Sequence, residues 1–152
     1  MIFDLKVENQ AAQPVLAIRT ITSMENLPAV IGDSYAKIAN YLTELGEQPG
    51  YAPYAAYYNV DIHDLDVELG FPVSRPLPEK NEIKAGQIPQ SQIVSCLYKG
   101  AYSEMEAPYM EIMNWIEDHG HEPTGVYYEY YYNSPADVPE NELLTRIVIP
   151  LK

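Results

Sequence analysis

Apolar positions along the 152-residue chain follow two rhythms, one of three and four residues and one of two. Leu27, Ile31, Tyr35, Ile38, Leu42 and Leu45 recur at helical steps, which predicts a helix from about Pro28 to Leu45 with a single apolar stripe. Gly46 is placed to end it, and Gln48-Pro49-Gly50 to turn the chain. Met105, Tyr109, Ile112, Met113 and Ile116 form a second stripe that Gly120 would stop. Ser103 with Glu106 three residues on reads as a capping box at its start, and Pro108 is tolerable in a first turn. Apolar, β-branched or aromatic runs, alternating in places with a period of two, mark strands at 15–22, 54–59, 64–71, 92–99, 125–133 and 143–151. In the third of these, Leu65, Val67 and Leu69 alternate with Asp64, Asp66 and Glu68, so one face should be wet.

Read in order, these elements spell βαββ twice. A shift of 74 places Gly46, Pro49, Tyr54, Tyr57, Tyr58 and Asn59 on Gly120, Pro123, Tyr128, Tyr131, Tyr132 and Asn133, six identities in the fourteen positions 46–59. ELGFPV (68–73) resembles RIVIPL (146–151) once four extra residues are allowed in the second copy. An internal duplication follows. The expected fold class is α+β: a duplicated βαββ module giving a six-stranded antiparallel curved sheet or barrel with two long helices. One domain should fill 1–152, with repeat 1 at about 13–73, repeat 2 at about 91–152, and the Pro-rich segment 74–90 as a linker and mobile loop.

Charge narrows the partners. The net charge is −13, with nine basic residues and no Lys/Arg cluster, so direct nucleic-acid binding is not expected. The acidity serves solubility, or attracts cationic ligands or a basic protein surface. No apolar run approaches a membrane span, the N-terminal MIFDLKVENQ lacks the core of an export signal, and one cysteine cannot make an internal disulfide. A cytoplasmic protein with a buried structural Cys96 is the expectation. His63, His119 and His121 lie near turns, and neither a metal set nor a Ser-His-Asp set is evident, so no cofactor is expected.

The aromatic balance raises the chemical question. Fourteen Tyr stand against two Phe and one Trp, a bias suited to walls that are apolar along the ring and wet at the tip. Within VYYEYYYN, alternation puts Tyr127, Glu129 and Tyr131 on one face of a strand and Tyr128, Tyr130 and Tyr132 on the other. Two readings of Glu129 stand on spacing alone: a solvated acid on an open sheet face, or a carboxylate among rings awaiting a cation. The first-copy equivalents are Pro53, Ala55 and Tyr57, so a cage along a pseudo-twofold axis would carry a single off-centre charge. Tyr41 and Trp115, one on each helix, are further candidate walls.

The duplication, Lys99-Gly100-Ala101-Tyr102, Trp115 and the run Glu129-x-Tyr131-x-Asn133-Ser134-Pro135 followed by ELLTRIVIPL resemble the GyrI-like family, the bacterial transcription-activator effector-binding domain, from about Gln13 to Lys152. Ser134 stands where the family often has Asp. The resemblance implies the effector domain of multidrug-responsive regulators, AraC-type ones included, in which a glutamate matching Glu129 pairs with cationic, lipophilic compounds. It implies a stand-alone small-molecule-binding protein with Glu129 as the ligand's charge partner; Tyr127, Tyr131, Tyr57, Tyr41 and Trp115 are the expected ligand-binding walls around it. Two alternatives accompany it: a hydrolase opening cyclopropane-containing DNA-alkylating toxins, with Glu129 catalytic, or a gyrase-inhibitor-type interaction with a topoisomerase.

Overall fold

A computed structural model describes residues 1–48 and 51–152. The chain divides into two compact units: a middle unit, Ala11–Gln90, and a terminal unit made of Met1–Gln10 with Ser91–Lys152. The elements are β1 (Ile2–Gln10), β2 (Gln13–Thr22), α1 (Leu27–Glu44), β3 (Tyr54–Tyr57), β4 (Leu65–Pro72), β5 (Lys84–Ile88), β6 (Ser91–Lys99), α2 (Glu106–Asp118), β7 (Tyr127–Tyr131) and β8 (Leu144–Pro150).

In the middle unit the antiparallel order is β3-β4-β2-β5, and in the terminal unit it is β1-β6-β8-β7. Among the described residues the α+β class holds with two α-helices, but there are eight strands rather than six, and neither unit's sheet closes into a barrel. α1 lays Ile38, Tyr41 and Leu42 on Leu16, Ile18 and Phe71 of its sheet. α2 lays Ile112 and Ile116 on Val94, Cys96, Ile147 and Ile149. Cys96 is thus core, and burial pushes its thiol up to about 11, which keeps it protonated and inert. Among the described residues no helix is long and apolar enough to cross a membrane.

Both helices stop at the expected glycines. Gly46 and Gly120 have φ of +74° and +73°, left-handed values that glycine adopts without strain. Around them the Glu47 amide donates to Leu42 and the His121 amide to Ile116, closing the same six-residue C-terminal motif twice. The turn expected at Gln48-Pro49-Gly50 falls on Pro49 and Gly50, outside the described residues.

Three expectations need correction. The capping box at Ser103 does not form; a single 3-10 turn, Tyr102–Glu104, precedes α2, whose N-cap Met105 makes no side-chain bond. Pro108 is the reason: a helix begun at Ser103 would drive its ring into the carbonyl of Glu104, so the first helical amide to donate is Tyr109, to Met105. The segment 74–90 is not a bare linker, because it carries Leu77 and Ile83 into the α1 core and forms β5 against β2. The N-terminal residues are a strand on β6.

Candidate functional site

Register fixes what Glu129 faces. On the terminal unit's sheet, Glu129 is opposite Ile147, which is opposite Cys96; two residues along, on the same face, Tyr131 is opposite Thr145, which is opposite Tyr98. Ile147 and Cys96 belong to the core under α2, so Glu129 points to the helix side of the sheet. It is 8% exposed, which settles the earlier alternative against a solvated surface acid.

Two tyrosine hydroxyls answer the carboxylate. Tyr109 of α2 donates to Oε2 at 2.5 Å and Tyr131 to Oε1 at 2.9 Å. Among the described residues no Lys, Arg or His lies within ion-pair distance of it. Burial pushes the Glu129 carboxyl above the ordinary carboxylate range, and the two hydroxyl bonds pull the other way more weakly. The result is an acid that holds its proton more strongly than an exposed carboxyl does.

Rings gather around this pair of oxygens. Tyr127 meets Tyr109 edge-on at 6.3 Å between centroids, and Tyr102 meets Tyr131 edge-on at 5.6 Å. Burial and the nearby Glu129 charge both raise the Tyr102 hydroxyl. Of the residues singled out from sequence, the terminal unit brings together Glu129, Tyr127 and Tyr131. Trp115 lies on the same helix as Tyr109 but stacks on His119, centroids 3.9 Å apart. Tyr41 and Tyr57 belong to the middle unit. Tyr41 is buried in the α1 core and donates to the Pro78 carbonyl at 2.7 Å, while Tyr57 is half-buried opposite Val67.

Sequence reasoning missed Tyr109 and Tyr102 as neighbours of Glu129. By spacing Tyr109 belongs to the α2 core stripe, and the signal the sequence offers is its hydroxyl, a polar tip in an otherwise apolar stripe that needs a partner. Asn133, in contrast, has a structural task. Its Oδ1 accepts from the Leu144 amide at 2.8 Å and its Nδ2 donates to the Glu142 carbonyl at 3.1 Å, joining β7 to β8 just beyond the acid. Asn59 makes the same pair of bonds with Asp66 and Asp64 between β3 and β4.

The family model for the GyrI-like small molecule binding domain matches residues 3–152. The chain belongs to that family. No curated protein matches it in sequence. Among solved structures, this GyrI-like chain is similar to the EcmrR C-terminal domain, at 21% identity and a TM-score of 0.74, with 100% of this chain and 99% of that one covered. EcmrR in its DNA complex gives 20% identity and a TM-score of 0.81 over 98% of this chain, which spans 57% of the EcmrR chain there. A hydrolase from Listeria innocua gives 13% and 0.74, with 97% and 91% of the two chains covered. SAV2435 bound to tetraphenylphosphonium gives 10% and 0.68, with 99% and 94% covered. At these identities the likeness is one of fold.

Proposed function

We propose that this chain binds aromatic, lipophilic cations, with Glu129 as the charge partner and Tyr109, Tyr127, Tyr131 and Tyr102 as the ring wall. The observation that carries this reading is the Glu129 carboxylate: buried, held by two hydroxyls, and with no cationic side chain among the described residues in ion-pair distance. A carboxylate out of water is costly unless a positive charge or donors answer it, and rings add cation–π attraction for a planar or phenyl-bearing guest. The binding of tetraphenylphosphonium by SAV2435, similar in fold, supports the same class of guest. We leave Tyr41 and Trp115 out of the wall because each is engaged elsewhere in its own unit.

The test is titration of wild type and Glu129→Gln with tetraphenylphosphonium. Glu129→Gln should weaken binding at least about tenfold, a conservative share of a close charge pair's worth. Equal affinities would remove the charge role.

The same carboxyl supports a second reading. An acid whose hold on its proton is strengthened by burial, beside two phenol hydroxyls, is equipped for general acid catalysis. Water would add its hydroxyl to a carbon of a strained cyclopropane, the ring C–C bond would break, and the proton would end on the released carbon framework. Incubation with a cyclopropane-bearing alkylator and detection of the water adduct over many turnovers would favour this reading. Stoichiometric protection without adduct would exclude it.

A further inference from the structure

Thr145 is wholly buried on β8, and its Oγ1 has no hydrogen-bond partner. A buried hydroxyl left unpaired costs about 1–3 kcal/mol, so such a group needs a reason to be there. Its place in the sheet supplies one. Thr145 sits between Tyr98 and Tyr131 on the face that carries Glu129, two residues along from the Glu129–Ile147 pair. Diagonal neighbours on adjacent strands lie about 7–8 Å apart, so one small polar group can bond both side chains at once. The middle unit offers an internal control. Its residue with the matching register, flanked by Thr20 and Tyr57, is Val67, which is equally buried and nearly the same shape. Valine fills the position at no polar cost where the diagonal neighbour on β3 is Ala55, opposite Leu69. Threonine occupies it where the neighbour is Glu129.

Resting on the cation-binding reading above, we propose that Thr145 is a second polar contact of that site and sets its preference among cations. The Thr145 hydroxyl oxygen accepts an N–H from the head group of the guest while Glu129 takes its charge. The favoured guests are then aromatic cations bearing N–H, such as protonated amines and amidinium ions, over fully substituted onium ions. Tyr131, opposite Thr145, and the exposed Tyr102 against its edge are the rings a guest displaces on entry.

Two probes and three variants test this. Aminobenzamidine carries N–H donors on its cation, and tetraphenylphosphonium has none. Thr145→Val should weaken aminobenzamidine roughly tenfold, the worth of one hydrogen bond to a charged donor, and leave tetraphenylphosphonium within about twofold. Thr145→Ser should restore the amidinium affinity. The unliganded Thr145→Val protein should melt no lower than wild type, which guards against a folding defect. Equal losses for both probes, no loss for either, or a wild type that takes the phosphonium but not the amidinium would overturn the role of Thr145. If Glu129→Gln leaves both affinities unchanged, the cation-binding reading itself has failed.

Discussion

A cation and a proton compete for the same two oxygens of Glu129, so affinity for a cationic guest should fall as pH falls. Burial holds the empty site's carboxyl above its ordinary value of about 4.5. Over the window between that value and the raised one, the empty site keeps a proton that the guest must displace. One carboxyl means at most one proton, hence up to a tenfold rise in Kd for each unit of pH lost inside the window, and no dependence above it. The charge interaction is strong enough to drive the exchange. At about 5 Å and an effective dielectric of about 20, a carboxylate and a phosphonium attract by roughly 3 kcal/mol. Calorimetry in two buffers of different ionisation heat counts the protons released, and repeating it over about pH 4 to 8 maps the window. Wild type should release up to one proton per tetraphenylphosphonium; Glu129→Gln should release none and bind with a flat pH profile. No release at any pH, or the same release from both proteins, would refute the competition.

Two further outcomes follow from the same contacts. The folded carboxyl holds its proton more strongly than the unfolded one, so the stability this contributes is complete below the ordinary Glu value and is lost as pH rises through the raised one. Glu129→Gln escapes that loss; its melting temperature relative to wild type should climb with pH across the window, and a constant gap would mean that burial is not felt. Asn133→Ala removes the bonds to Leu144 and Glu142, which should cost about 1–2 kcal/mol and speed hydrogen exchange at the Leu144 amide; unchanged exchange would deny Asn133 its joining role.

What the sequence revealed follows from which forces write themselves into residue spacing. The helix stripes and their terminal glycines were legible because one buried face and one left-handed residue are strong local signals. β1 was not, because a shift in register between Phe3 and Lys6, with Asp4 at a φ of 56°, breaks its period of two. Ile2, Leu5 and Val7 all reach the α2 core as a result, a spacing that no regular strand would allow. β5 was hidden for the opposite reason: four of its five residues are exposed, so backbone bonds to β2 hold it and no apolar alternation records it. At the site, the face shared by Tyr127, Glu129 and Tyr131 came from alternation, while the burial of that face did not, since both faces carry tyrosine. Tyr109 reaches Glu129 from α2 and Thr145 from β8, and only helix packing and strand register reveal such pairs.

The state of the Glu129 carboxyl is the quantity on which the whole account turns. Isotope-edited infrared spectroscopy of protein labelled at glutamate, compared with Glu129→Gln, follows that one group through a pH titration. In the free protein a protonated Glu129 band should persist above the ordinary carboxylate range and convert to the carboxylate band when tetraphenylphosphonium is added. A carboxyl that titrates at its ordinary value and ignores the cation would contradict it.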